Sequence, residues 1–260
     1  MYSNQKDSIV AWYHSFFEGL PQSAWKLSQN EIQTDLEADF LWDLLDLQEE
    51  AQVLDIFAGY GRHALPLARL KARLWCIDIS REACEELTIS SREEFLGIQV
   101  MCNDFLEATL PPAPLDAAYC MGNSFSFFDR EHMQIFLAKI SEALKPGGKF
   151  VAHSSMLAES VLPHFQQRTW MDIGEENEKI HYLVNSEYDV LNGVIHAEVT
   201  YFQSGNQQSH QIDQHIYTLS DLKNLYLEAG LEIKEVFSEI DGEPFQLGDE
   251  QIYILAEKIS

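Results

Sequence analysis

One segment, residues 53–68, constrains the fold of this chain more than any other. It begins with a short apolar run that contains Asp55, breaks at Gly59-Tyr60-Gly61, and continues with apolar residues at helical spacing. This order predicts a strand, a glycine turn and a helix. A glycine turn lets a ligand approach bare backbone, and the start of the following helix offers unpaired N–H groups and positive potential. The segment therefore predicts a site for a cofactor that carries a ribose or a carboxylate.

The acid in this segment separates two kinds of cofactor. The glycines alone do not, because Gly59-x-Gly61-x-x-Ala64 also fits the looser dinucleotide-binding fingerprint. Asp55 lies on the predicted strand, at a place where a dinucleotide-binding fold usually has an apolar residue. An acid, three residues and then Gly-x-Gly resembles the first motif of class I S-adenosylmethionine-dependent methyltransferases. The alternative interpretation of this segment assigns it no ligand: it is then a buried strand followed by an ordinary tight turn.

A second acid lies at a spacing that suits an adenosyl group. Residues 73–80 predict an apolar strand that ends at Asp78 and Ile79, with Asp78 placed 19 residues after Gly59. At the tip of a strand beside the glycine turn, the Asp78 carboxylate can accept hydrogen bonds from both ribose hydroxyls. Dinucleotide enzymes use an acid at a similar spacing. Asp78 therefore indicates an adenosyl group but does not distinguish S-adenosylmethionine from a nicotinamide dinucleotide.

The third predicted strand distinguishes S-adenosylmethionine from a dinucleotide. Residues 98–105 end in Asn-Asp-Phe. In class I methyltransferases an acid at this place accepts a hydrogen bond from the adenine amino group, and a neighbouring apolar side chain packs on the ring. The resemblance gives these roles to Asp104 and Phe105, whereas Asn103 is either a cofactor contact or a turn-capping residue.

The fourth predicted strand, in residues 115–125, is apolar almost throughout, as expected for a central parallel strand. Its carboxyl end faces the ligand crevice in a fold of this kind. The resemblance therefore places Met121, Gly122 and Asn123 beside the sulfonium of the cofactor, with the methyl acceptor beyond them. The Asn/Asp-Pro-Pro-Tyr signature of enzymes that methylate nucleic-acid amino groups is absent from the sequence.

Three shorter motifs extend the resemblance over roughly residues 53–152. The Lys-Pro-Gly-Gly turn at 145–148 is highly characteristic of the methyltransferase fold. Gly61-Arg62-His63 and the Gly-Asn-Ser-Phe run at 122–125 resemble a bacterial group that methylates small molecules. Phe57-Ala58 departs from the Gly-Cys common before the first glycine, which predicts a tighter or shifted approach to the backbone there. The resemblance implies S-adenosylmethionine-binding residues Asp55, Phe57, Gly59, Gly61, Asp78, Ile79, Asn103, Asp104, Phe105, Met121, Gly122 and Asn123.

The remaining segments predict a helical N-terminus and a β insert. Residues 5–19 form an amphipathic aromatic pattern that either packs on the sheet, the favoured interpretation, or covers the cofactor mouth. A second helix follows Asn30. Alternating runs in 180–217 predict an antiparallel meander of three strands, with a hairpin at Asn192-Gly193.

The predicted fold class is α/β. The main sheet is Rossmann-like and doubly wound, with seven strands that are mostly parallel and an antiparallel edge. The predicted domain organisation is a helical cap at 1–50, a cofactor-binding domain at 51–153 and 218–260, and a substrate-side insert at 154–217.

Charge and cysteine usage limit the partners and the compartment. The chain has 42 acidic residues against 17 lysines and arginines, and its net charge of −25 offers no footprint for nucleic acid or anionic membranes. The four cysteines lack the close spacing of metal or redox motifs, residues 1–20 do not read as a signal peptide, and no apolar run reaches membrane-spanning length. We therefore expect a cytoplasmic protein without a metal, whose partner is a small-molecule acceptor.

Methyl transfer from a sulfonium needs alignment and exclusion of water more than it needs a nucleophilic side chain. A protonated amine or a hydroxyl acceptor also requires a base. The first candidate for that base is His153, at the end of the fifth predicted strand, followed by His196, His210 and His215 in the insert. Two other functions stay open: an S-adenosylmethionine-binding protein without catalysis, and a nicotinamide-dependent oxidoreductase, which Asp55 and Asp104 oppose.

Overall fold

The computed structural model describes residues 11–111, 114–175 and 178–259. Its main sheet has seven strands in the order β10-β11-β5-β4-β1-β2-β3. Their bounds are β1 Gln52–Ile56, β2 Arg73–Asp78, β3 Gln99–Cys102, β4 Leu115–Cys120, β5 Leu144–Ser154, β10 Leu231–Phe237 and β11 Ile252–Lys258. Strands β1 to β5 are parallel to one another, and β11 runs antiparallel to both β5 and β10. The predicted fold class is confirmed.

Helices cover both faces of this sheet, so that it has an apolar core on each side. The helices that pack on its faces are α3 Glu31–Leu44, α4 Ala64–Arg69, α5 Arg81–Glu93, α6 Arg130–Ala143 and α8 Leu219–Glu228. Buried residues of α3, α4 and α5 share one core with the sheet, and those of α6 and α8 share the other. This layering leaves the carboxyl ends of the parallel strands as the open edge where a ligand binds.

A second sheet follows β5 and has four antiparallel strands, where the sequence predicted three. Its strands are β6 Arg168–Ile173, β7 Ile180–Asp189, β8 Val194–Gln203 and β9 Asn206–His215. The prediction missed β6, an edge strand with Trp170 and Met171 exposed, because its residues do not alternate between apolar and polar. The hairpin predicted at Asn192-Gly193 joins β7 to β8. A short helix, α7 Ala158–Val161, precedes this sheet.

The N-terminal region differs from its prediction. Two helices, α1 Tyr13–Phe16 and α2 Leu20–Leu27, stand where one helix was predicted over 5–19, and residues 5–10 of that prediction lie outside the described residues. The Gly-Leu-Pro sequence at 19–21 reads as a helix stop, but it starts α2, since Pro21 fits the first turn of a helix, where its missing N–H is not needed. Within the described ranges, no helix is long and apolar enough to cross a membrane.

Candidate functional site

A cavity opens at the carboxyl edge of β1, β2 and β4, and most residues predicted to bind the cofactor line it. The second sheet and helices α1 and α2 close its other side. The lining residues from the predicted set are Phe57, Gly59, Asp78, Ile79, Asn103, Asp104, Phe105, Met121, Gly122 and Asn123. Asp55, Gly61 and His153 do not line the cavity.

Asp78 is held at the edge of the glycine turn by two backbone groups. Its Oδ2 accepts a hydrogen bond from the Gly59 N–H at 2.8 Å, and its Oδ1 accepts one from the Ser80 N–H, also at 2.8 Å. Burial raises the pKa of this carboxyl, while the backbone N–H donors from Ser80 and Gly59 lower it. Since each carboxylate oxygen accepts more than one hydrogen bond, both Asp78 oxygens retain capacity for a ligand hydroxyl.

Asp104 and Phe105 form the next part of the cavity wall. Asp104 Oδ1 accepts from the Leu106 N–H at 2.8 Å, and its Oδ2 lies 3.2 Å from His14 Nε2 of α1. Phe105 is buried against Phe57, with ring centroids 6.0 Å apart. The side-chain oxygen of Asn103 accepts from the Asp104 N–H, which is the turn-capping alternative for this residue.

The two glycines of the first motif have different surroundings. Both have positive φ, but a Cβ on Gly59 would meet nothing within 4 Å, whereas a Cβ on Gly61 would lie 2.3 Å from Leu87 Cδ1 of α5. Gly61 therefore serves the packing of the turn on α5, and Gly59 keeps space open at the cavity. Phe57, which departs from the first methyltransferase motif, also has a positive φ of 62° and so carries backbone strain at the site.

Alanine substitutions at the two glycines are expected to have different effects. Gly59→Ala is expected to weaken S-adenosylmethionine binding by about tenfold, because the methyl group fills ligand space, and to cost about 1 kcal/mol of stability through the strained φ. Gly61→Ala is expected to lower the free energy of unfolding by about 2–4 kcal/mol, because Leu87 must move. Urea denaturation and titration calorimetry measure the two effects, and equal stability losses in both variants would contradict the assignment.

Asp55 lies beneath the turn in a fully enclosed position. It is 3% exposed, and its Oδ2 makes no hydrogen bond within the part of the chain that the structure describes. Its cross-strand neighbour on β4 is Tyr119. Burial is the main cause that raises the pKa of Asp55 to about 7; the nearby Tyr119 hydroxyl opposes the rise, and the charge of Asp78 adds to it.

Asp55 should make stability depend on pH. A carboxyl whose folded pKa is about 7 and whose unfolded pKa is 3.8 binds more protons in the native state between these values, so its contribution to stability falls as pH rises. Relative to Asp55→Asn, the wild-type free energy of unfolding is expected to drop by up to about 1.4 kcal/mol per pH unit between pH 4 and 7. Urea denaturation across that range measures it, and a constant difference between the two proteins would refute the buried, raised carboxyl.

A buried charged cluster holds the Gly-Arg-His segment, and sequence reasoning missed one of its members. Glu37 of α3 accepts hydrogen bonds at Oε2 from Arg62 at 2.5 Å and from His63 Nε2 at 2.7 Å. Burial alone would raise the pKa of Glu37, but the His63 hydrogen bond and the Arg62 charge lower it to about 2. Burial lowers the pKa of His63 to about 4. The sequence feature that could have identified Glu37 is its position beside Ala38, on the buried face of an otherwise amphipathic helix.

His153 lies outside the cavity, and its two ring nitrogens are engaged. Nδ1 accepts from the Gly122 N–H at 3.2 Å, and Nε2 lies 3.0 Å from Gln251 Oε1. Burial lowers the pKa of this imidazole, which keeps it neutral and able to accept from Gly122. This geometry suits a positioning residue for the turn after β4, not the general base that the sequence suggested.

The three insert histidines do not line the cavity either. His196 faces solvent and pairs with Asp213 at 2.6 Å. His210 packs against Phe16 with ring centroids 5.2 Å apart, and His215 is half-buried, with its pKa lowered mainly by burial.

Aromatic side chains from the N-terminal helices cover the cavity, so the interpretation that they only pack on the sheet is wrong. Two contacts hold this cover in place: Trp12 Nε1 donates to the Asp213 carbonyl at 3.1 Å, and Ser80 Oγ donates to the Phe17 carbonyl at 3.3 Å. The second sheet forms the facing wall. The lining residues that the sequence analysis did not assign to the cofactor are Trp12, Tyr13, Phe16, Phe17, Gln22, Trp25, Ser124, Phe127, Phe128, Tyr182, Tyr201, Ile212 and Gln214.

Comparison with known proteins gives one family match and several structural matches. Residues 53–148 match the family described as a methyltransferase domain. The CcbJ methyltransferase from Streptomyces caelestis is 16% identical, with a TM-score of 0.79 over 95% of this chain and 99% of that chain. CalS10 from Micromonospora echinaspora, an amino pentose methyltransferase solved with S-adenosylmethionine bound, is 16% identical, with a TM-score of 0.69 over 93% and 97%. KedS8 from a Streptoalloteichus species, a sugar N-methyltransferase, is 15% identical, with a TM-score of 0.70 over 94% of each chain.

The two kinds of match cover different parts of the chain. The family match contains the glycine turn, Asp78, Asp104 and the turn after β4. The structural matches extend the shared fold over nearly the whole chain, including the second sheet. Residues 53–148 therefore match a methyltransferase domain, and nearly the whole chain shares the fold of solved S-adenosylmethionine-dependent methyltransferases.

Proposed function

We propose that this chain is a class I S-adenosylmethionine-dependent methyltransferase that acts on a nitrogen or oxygen nucleophile of a small molecule, with an amino nitrogen as the preferred acceptor. The observation that carries this proposal is the composition of the cavity: two aspartates suited to an adenosyl group and an aromatic wall with uncharged polar groups line the same cavity. CalS10 and KedS8, which share this fold, act on amino sugars or on sugar nitrogen. The acidic surface also favours cationic or neutral acceptors over phosphates.

The residues present fit the cofactor. The open space at the missing Cβ of Gly59 permits close approach of a ligand to the backbone. In the proposal, Asp78 binds the ribose hydroxyls, Asp104 accepts from the adenine amino group, and Phe105 packs against the base. The turn at 121–123, which Gly122 connects to His153, lies beside the sulfonium.

The proposed mechanism depends on positioning. When bound, the cofactor would supply an electrophilic methyl group: the acceptor lone pair would bond to the methyl carbon in line as the carbon–sulfur bond breaks and the neutral thioether leaves. The covering aromatic residues, among them Trp12 and Phe17, exclude water from the cavity. Burial among these rings disfavours a charged ammonium, so it lowers the acceptor pKa and increases the fraction of free amine that reacts. With His153 engaged by Gly122 and Gln251, its role in this mechanism is to hold the turn.

The same cavity supports the predicted division of labour along the chain. Residues 51–153 and 218–260 would bind the cofactor, while the N-terminal cap at 1–50 and the insert at 154–217 would enclose the acceptor. The cap contributes Trp25 to the cavity, and the insert contributes Tyr201.

Two measurements test the proposal. Calorimetry with S-adenosylmethionine, S-adenosylhomocysteine and NADH should show binding of the first two and none of the third. A transfer screen with radiolabelled cofactor over amines, phenols and carboxylates should then give product with amines. Cofactor binding without transfer to any class would favour the non-catalytic alternative, and transfer only to carboxylates would contradict the acceptor assignment.

A further inference from the structure

The side-chain amide of a largely buried residue, Gln22, belongs to a cavity-lining position. Gln22 lies in the first turn of α2, is 6% exposed, and lines the cavity together with Trp25, one helical turn further on. Its side chain makes no hydrogen bond within residues 11–111, 114–175 and 178–259, whereas the nearby Gln208 is engaged by the backbone N–H of Leu20 at 2.5 Å. Gln22 therefore differs from a glutamine that serves only to fix the N-terminal helices.

The second sheet offers a matching group. Gln214 of β9 lines the same cavity, on the sheet face that also carries Ile212. Its amide likewise makes no hydrogen bond to the described part of the chain. Tyr182 and Tyr201 lie on the same wall, with their ring centroids 4.9 Å apart. The cavity wall thus presents two uncharged amides and two phenol hydroxyls beside the flat faces of aromatic rings.

The chemistry of these groups indicates the kind of ligand that they recognise. A buried amide without a partner destabilises a protein, so a largely buried glutamine that lines a cavity and has no partner among the described residues points to a partner that arrives with a ligand. An amide both donates and accepts, which matches a hydroxyl group that does the same. The aromatic rings provide flat apolar surfaces for the C–H face of a saturated ring.

We propose that Gln22 and Gln214 orient the methyl acceptor and that this acceptor is an amino sugar. The inference rests on the proposed function, since it names the substrate class of the same cavity. The hydroxyls of the sugar pair with the two amides, and its ring lies against Trp25 and the tyrosines of the second sheet. The amino group is then presented toward the turn at 121–123.

Saturation-transfer NMR on the full-length protein with S-adenosylhomocysteine tests this without requiring turnover. The probes are the methyl glycosides of 2-, 3- and 4-amino-hexoses. We expect saturation of ring protons in at least one probe, and about tenfold weaker binding in Gln22→Met and Gln214→Met. Gln211→Met is the matched control, because Gln211 is an exposed residue of the same strand. S-adenosylhomocysteine affinity should be unchanged in all three variants.

Stability gives a second readout that a purely structural role would not produce. Because the Gln22 amide makes no hydrogen bond within the described residues, its replacement by methionine should leave the melting temperature equal to or above that of wild type. No saturation of any amino sugar, or equal binding in Gln22→Met, Gln214→Met and wild type, overturns the inference. Methyl transfer to other amines would then leave the proposed function standing, whereas amino-sugar binding without any methyl transfer would overturn the proposed function and leave only a sugar-binding site at Gln22 and Gln214.

Discussion

Replacing Asp78 by alanine is expected to weaken S-adenosylmethionine binding by about 100-fold or more. In the proposed site this carboxylate accepts hydrogen bonds from two ribose hydroxyls, and hydrogen bonds to a charged group contribute about 1.5–3 kcal/mol each. Two such bonds correspond to about 3 kcal/mol or more, and each 1.4 kcal/mol is a factor of ten in the dissociation constant. Titration calorimetry with S-adenosylmethionine and S-adenosylhomocysteine measures the loss.

The Asp78 result needs a control for folding, because the carboxylate also accepts from the N–H groups of Gly59 and Ser80. Asp78→Asn keeps an oxygen acceptor and approximates the shape, so it should stay closer to wild type in thermal stability than Asp78→Ala does. Asp104→Ala should cost less affinity, about tenfold, because Asp104 is assigned a single hydrogen bond to adenine. An Asp78→Ala affinity within threefold of wild type would remove the basis of the assigned cofactor geometry.

Predictions that depend on local order along the chain agree with the structure. Gly59 and Asp78 could be identified as neighbours because a strand, a tight turn and a parallel second strand bring them to the same sheet edge. The N-cap of α5 at Ser80 was predictable for the same local reason, since its side chain accepts from the Ala83 N–H three residues later.

Predictions that depend on tertiary contacts could not be made from the sequence. Gly59 and Gly61 are equivalent in a Gly-x-Gly motif, and only the position of Leu87 on α5 separates a ligand-facing glycine from a packing glycine. The cavity role of Gln22 depends on where α2 meets the second sheet, and no periodicity reveals that. His153 ends a strand, as a catalytic residue often does, but its orientation toward Gly122 is set by Gln251, which is distant in sequence.

Replacing Glu37 by alanine is expected to give the largest loss of stability among these variants, about 3–5 kcal/mol in the free energy of unfolding. The change leaves the Arg62 guanidinium, whose side chain is 14% exposed, without its carboxylate, and an uncompensated buried charge is strongly destabilising. It also removes the hydrogen-bond partner of His63. Urea denaturation at neutral pH measures the loss. Asp39→Ala, an exposed acid on the same helix, should change stability by less than about 0.5 kcal/mol.

Acid should reduce the Glu37 effect with a defined sign. The folded pKa of Glu37, about 2, lies below its unfolded value of 4.5, so its contribution to stability is complete above pH 4.5 and is lost as pH falls toward 2. His63 shifts stability in the same direction between its unfolded value of 6.5 and its folded pKa of about 4. The difference between wild type and Glu37→Ala should therefore shrink on acidification. A difference that is independent of pH, or equal losses in Glu37→Ala and Asp39→Ala, would show that this cluster does not anchor the Gly-Arg-His segment.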